Sequence, residues 1–155
     1  MHMIAYISEV SIPPALRGRE INDILESAQH RNKKLGVTSV LFLRGNTFFQ
    51  TLEGPNDAVR SVFQNIQEDD RHSSLYVLFD EPIEQRRFSD WSIECFHEVS
   101  CERDYLDIFH EIGEHFSRGV GFDPHGVYLY CSRLVAALAA NRLQVARNGV
   151  CPHAD

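Results

Sequence analysis

The chain has 155 residues, 43% hydrophobic and 24% charged, the balance of one ordinary globular domain with a short extension. Its formal net charge of −7 argues against a nucleic-acid partner, because binding a phosphate backbone draws on a basic surface. No apolar run approaches the roughly 20 residues of a membrane-spanning helix, and Met1-His2-Met3-Ile4 lacks the basic and apolar regions of a signal peptide, so a cytoplasmic location with no membrane partner is expected.

Residues 3–8 read as a first strand, and Pro13-Pro14 break the connection that follows. Ile21, Ile24, Leu25 and Ala28 then recur at i, i+3, i+4 and i+7, the stripe of an amphipathic helix. Gly36, after the basic stretch Arg31-Asn32-Lys33-Lys34, is a helix stop. Residues 37–43 and 47–52 are β-branched and apolar, and Gly45-Asn46 between them signals a hairpin because both residues tolerate positive φ. Gly54-Pro55 ends the second of these strands. Val59, Val62, Phe63 and Ile66 mark a second helix, residues 75–79 a fourth strand and residues 91–96 a fifth.

This order predicts an α+β, ferredoxin-like βαββαββ fold: a five-stranded mixed sheet with two helices on one face. A C-terminal two-helix extension is expected to cover the other face. Tyr105, Ile108, Phe109, Ile112 and Phe116 repeat at helical spacing, and a second apolar helix is expected over 128–143. The domain reading is therefore residues 1–98 for the sheet domain, 99–148 for the extension and 149–155 for a tail. The extension is expected to close the sheet or to mediate a homo-oligomer, a dimer or larger.

Metal chemistry finds no support in the sequence. Cys95, Cys101, Cys131 and Cys151 form no C-x-x-C, and the eight histidines are scattered. Gln50 stands out instead. It shares a strand face with Phe48 and Leu52, so a burying face would enclose an amide with up to four hydrogen bonds to make. Each group left unpaired there costs about 1–3 kcal/mol. Tyr6 on the first strand and Asn32 near the first helix end raise the same question. A bound heterocycle rich in donors and acceptors would answer all three, whereas a core phenol and a simple helix cap would each answer one.

At this point the sequence resembles a family. Asn32, L-G-V-T-S-V-L-F-L, F-F-Q-T-L-E-G-P, D-D-R-H-S-S and R-R-F-S-D-W-S are similar to the BLUF domain, the flavin-binding blue-light sensor, over about residues 3–98. The resemblance implies a non-covalently bound flavin, FAD with FMN as a possible alternative, and a photoreceptor that is not itself an enzyme. Its output would pass through contacts with an unidentified downstream protein. Tyr6 and Gln50 would be the light-sensing pair, Asn32 would bind the ring, and Arg31 would reach the ring or the phosphate. Asp69, Arg71 and His72 match the family's D-x-R-H, which would place Arg71 or His72 near the ribityl-phosphate end. Trp91 and Ile93 occupy the strand where the family usually presents a Trp and a Met.

Three departures from the family pattern follow. Ile93 stands at a common methionine, which puts a thioether-dependent signalling role in doubt. Ser39 replaces a frequent glycine, read as a modest packing change. Asn65 stands where some relatives have a basic residue, which would leave phosphate recognition to Arg31 and Lys33. The competing readings are an acylphosphatase-like enzyme and a small interaction module without flavin. The first lacks a glycine-rich phosphate cradle between Glu9 and Arg19. The second would give a colourless protein.

Overall fold

The structure, a computed structural model, describes residues 1–86 and 92–97. The chain runs β1 (His2–Val10), a 3₁₀ turn (Pro14–Leu16), α1 (Arg17–Leu35), β2 (Thr38–Arg44), β3 (Thr47–Gly54), α2 (Asn56–Gln67), β4 (His72–Pro82) and β5 (Glu94–His97). Strand order across the sheet is β4-β1-β3-β2-β5. The first four strands are antiparallel to their neighbours, and β5 lies parallel to β2. Two helices over a four-strand antiparallel sheet is the α+β, ferredoxin-like arrangement expected. The expected C-terminal helices and tail, with Trp91, lie outside the described residues. No described helix is long and apolar enough to cross a membrane.

Local chemistry explains where the elements stop. Gly36 adopts φ 65°, the Val37 N–H donates to the Asn32 carbonyl at 2.9 Å, and the Gly36 N–H donates to the Lys33 carbonyl at 3.3 Å. That pair of bonds is a Schellman ending, and it pins the backbone of Asn32 one turn back. The β2–β3 hairpin turns on Gly45 and Asn46, but only Gly45 takes positive φ, so the turn is of the II′ kind rather than one needing both residues left-handed. Gly54 has a packing reason of its own. A Cβ there would meet the Gly36 carbonyl at 2.9 Å and the Val37 Cα at 3.3 Å, so the end of β3 passes directly against the end of α1.

The helix-side core divides in two. Val59, Val62, Phe63 and Ile66 of α2 pack with Ile4, Tyr6, Val37 and Leu52. Ile21 and Ala28 of α1 pack with Val10, Ile12, Leu41, Leu43, Phe48 and Ile93. Ile24 and Leu25 are only half-buried, so the stripe on α1 seals less of its length than the one on α2. The opposite face is buried as well, through Met3, Ala5, Val40, Phe42 and Phe49.

The fourth and fifth strands differ from expectation. β4 is longer than residues 75–79, and its pairing with β1 slips between Ala5 and Tyr6 and again between Ile7 and Glu9, with Ser74 at φ 48°. Alternation alone does not reveal such bulges. β5 begins at Glu94, so Ile93 lies just before the strand rather than inside it.

Candidate functional site

A cleft opens between α1 and α2 on the helix face of the sheet. Ile24, Ala28, Leu41, Val62, Ile66 and Ile93 supply apolar lining, and Gln50 belongs to the sheet side. Polar groups converge from Arg31 and Asn32 on α1, from Asn65 on α2, and from Asp69, Arg71 and His72 after it. Apolar walls with a few placed polar groups are the usual composition of a small-molecule site.

Strand register builds the sheet side of the site. Tyr6 on β1 stands directly opposite Gln50 on β3, and Gln50 stands opposite Leu41 on β2. Ser39, two residues before Leu41, is therefore the diagonal neighbour of Gln50 on the same face. The Tyr6 hydroxyl donates to Gln50 Oε1, and Gln50 Nε2 donates to Ser39 Oγ at 2.7 Å. All three side chains are buried. Burial, and secondarily the charge of Asp69, raises the Tyr6 phenol above its ordinary value. It therefore stays protonated and acts as the donor, which leaves Oε1 as the acceptor and Nε2 for Ser39. The Tyr6 ring is held by Phe63 at 5.5 Å and meets His72 edge-on at 6.2 Å.

Asn32 is 1% exposed. Its Nδ2 donates to the Ser92 carbonyl at 2.9 Å, while its Oδ1 is buried with no hydrogen-bond partner. The Nε of Arg31 is likewise buried and unpartnered. An orphaned carbonyl oxygen of this kind carries a desolvation penalty of about 1–3 kcal/mol, which an N–H on a bound ring would remove. A flavin carries such an imide N–H beside its carbonyls, so this donor and acceptor set fits one.

The corner after α2 is charged. Arg71 donates to Asp69 through Nε at 2.8 Å and Nη2 at 2.6 Å, and its backbone N–H adds a bond to Oδ1 at 3.0 Å. These bonds from Arg71 hold the Asp69 carboxyl below the usual carboxylate range, and Asp69 in turn raises Arg71. Arg71 also approaches Glu20 at the start of α1, at 3.8 Å. His72 shares a 2.9 Å hydrogen bond with the Ser8 hydroxyl, and burial lowers its pKa despite the nearby Asp69.

The fold thus gathers Arg31, Asn32, Gln50, Asp69, Arg71, His72 and Ile93 around one cleft, with Tyr6 reaching it through Gln50. Trp91 lies outside the described residues. Lys33 instead lines a second cleft, on another flank of α1, with Glu26, His30 and Arg86. Asn65 faces the first cleft but donates to the Ser61 carbonyl of its own helix at 2.7 Å. Two groups were not anticipated as partners: the Ser39 hydroxyl and the Ser92 carbonyl. Counting pairs outward from Gly45-Asn46 would have found Ser39. Nothing in the sequence marks a backbone carbonyl.

Comparison with known proteins bears on the same residues. The blue light- and temperature-regulated antirepressor BluF of Escherichia coli (strain K12) is 34% identical over 86 residues, covering 56% of this chain and 21% of that protein. The photoactivated adenylate cyclase subunit beta of Euglena longa is 31% identical over 91 residues, covering 58% of this chain and 10% of that one. The chain therefore spans only a tenth to a fifth of the length of these relatives. The structure of BlsA in its photo-activated state superposes with a TM-score of 0.73 at 25% identity, over 87% of this chain and 95% of that chain. The family model for BLUF, sensors of blue-light using FAD, matches residues 1–94, and the chain belongs to that family.

Proposed function

We propose that this protein is a blue-light photoreceptor that binds a flavin non-covalently between α1 and α2 and signals by rearranging the hydrogen bonds of Gln50. The observation that carries this reading is the Tyr6–Gln50 hydrogen bond on the sheet side of the cleft, within the part of the chain that matches the family. Asn32 would hold the polar edge of the ring through its unpartnered Oδ1. Arg31, Asp69, Arg71 and His72 would face the ribityl and phosphate end. With Lys33 on the other cleft and Asn65 bonded to its own helix, Arg31 and Arg71 are, among the described residues that line the cleft, the cations proposed to face the phosphate. FAD is the proposed cofactor, and so lightly charged a rim would let FMN compete.

When bound, a flavin would supply, on excitation, an oxidant strong enough to take an electron from a neighbouring phenol. Tyr6 would be that phenol, and its hydroxyl already donates to Gln50 Oε1, which would receive the proton. Gln50 can relay it because an amide accepts on oxygen and donates from nitrogen. Return of both the electron and the proton to Tyr6 would leave no net oxidation but an amide that is rotated or in its imidic form, and its new donor direction would be the signal. The chain acts as a sensor and catalyses no reaction of its own. Output would pass to a protein partner, and residues 99–148 are proposed to carry both that contact and homo-oligomer assembly.

The test is an absorption spectrum of the purified protein before and after blue light. A yellow protein with a small, reversible red shift is expected. A colourless protein that takes up neither FAD nor FMN overturns the reading.

A further inference from the structure

We infer that Ser39 is a positioning residue for the Gln50 switch, the second of two hydroxyls that make both orientations of the amide stable. The inference rests on the proposed light-driven reorientation of Gln50.

The geometry is a line across three neighbouring strands: Tyr6 on β1, Gln50 on β3 and Ser39 on β2. Tyr6 holds the oxygen end of the amide, and Ser39 accepts from the nitrogen end at 2.7 Å. Ser39 is fully buried, so water cannot replace its hydroxyl. A hydroxyl both donates and accepts. If the amide turns over, its oxygen comes to the Ser39 side and its nitrogen to the Tyr6 side. Both hydroxyls can then reverse roles, Ser39 donating to Oε1 and Tyr6 accepting from Nε2. Neither orientation leaves a buried amide group unpaired.

The same symmetry sets a barrier. Midway through the turn the amide bonds to neither hydroxyl, so the bond to Ser39 is lost in the transition state from either side. Removing the hydroxyl removes a bond from both end states and none from the transition state. Rotation should then quicken in both directions, and the illuminated state should relax sooner.

The experiment compares Ser39→Ala with the unmodified full chain, each purified with its flavin. Dark recovery is followed at the red edge of the spectrum. Light-minus-dark infrared spectra report the glutamine carbonyl. Ser39→Ala should retain the red-shifted state yet recover about three- to tenfold faster, the kinetic equivalent of one neutral hydrogen bond. The carbonyl band of its illuminated state should move to higher wavenumber, having lost a donor. Ser39→Thr, which keeps the hydroxyl, should recover within about twofold of the unmodified rate and keep the band, an outcome that packing alone would not produce. If Ser39→Ala does not fold, Ser39→Cys supplies the test, its weak donor giving an intermediate acceleration. Recovery that is unchanged or slower in the variant, with an unmoved band, overturns the inference. Absence of any red shift in the unmodified protein would instead sink the sensor reading beneath it.

Discussion

The two ends of the cleft are built on opposite principles. On the sheet side, Tyr6, Gln50 and Ser39 are neutral, buried and linked hydroxyl to amide to hydroxyl across three strands. At the corner after α2, Asp69 and Arg71 are charged, partly exposed and locked to each other by three hydrogen bonds. A neutral amide can reverse its donor and acceptor directions without moving charge through a low-dielectric core. A carboxylate and a guanidinium cannot reverse at all. The sheet side is suited to change, and the corner is suited to stay.

The sharpest way to break this comparison is at Gln50. Gln50→Leu should keep flavin bound and abolish the red-shifted state, and Tyr6→Phe should do the same, because the relay loses its amide or its donor. A normal photocycle in Gln50→Leu, read by absorption after a blue flash, would remove the amide from the mechanism. Next in size is Asn32→Ala, which deletes the proposed ring contact and the tie to Ser92. Flavin affinity should fall by about 0.5–1.5 kcal/mol, roughly two- to tenfold, as measured by equilibrium titration of the apoprotein.

At the charged corner the effects should be smaller and of another kind. Arg71→Ala should leave the size of the red shift unchanged and weaken flavin retention by no more than about fivefold, since partly exposed ion pairs contribute about 1 kcal/mol or less. A lost or altered light signal would mean that the corner takes part in switching after all.

Acidification should act through His72, which faces Asp69 and Arg71 and whose pKa is lowered by burial. The unfolded chain then takes up this proton before the folded one does. Stability from this residue is complete above the ordinary histidine value of about 6.5 and declines as pH falls from there toward the lowered folded value. Thermal melts between pH 7.5 and 5.5 should show that slope, and His72→Gln should flatten it.

Much of this architecture was legible because its signals are local. The Gly45-Asn46 turn fixes the register of β2 on β3, and Gly36 after a basic helix end fixes where α1 stops. Gln50 drew attention because an amide is conspicuous among Phe48, Phe49 and Leu52. Ser39 was legible in principle from the same hairpin, yet a serine in a strand resembles a packing detail until its diagonal partner is known. Tyr6 opposite Gln50 depends on pairing between strands 44 residues apart in sequence, which no local pattern encodes. The bulges of β4 beside Tyr6 were hidden for the same reason. Lys33 lines the other cleft because successive helix residues point about 100° apart, so sequence adjacency to Asn32 does not decide which flank a side chain takes.

The hydrogen bond from Asn32 to Ser92 has a consequence for how the sheet opens. β1 and β3 each have a partner strand on both sides, so their amides should exchange with solvent only when the whole domain unfolds. β5 has four register pairs, all to β2, and enters the sheet one residue after Ile93. Its fraying is opposed at the entry by the side chain of Asn32, a residue that also lines the cleft. A group that engaged Asn32 from the cleft should therefore change the local opening free energy of β5, and deuterium uptake at Glu94–His97 would report that change.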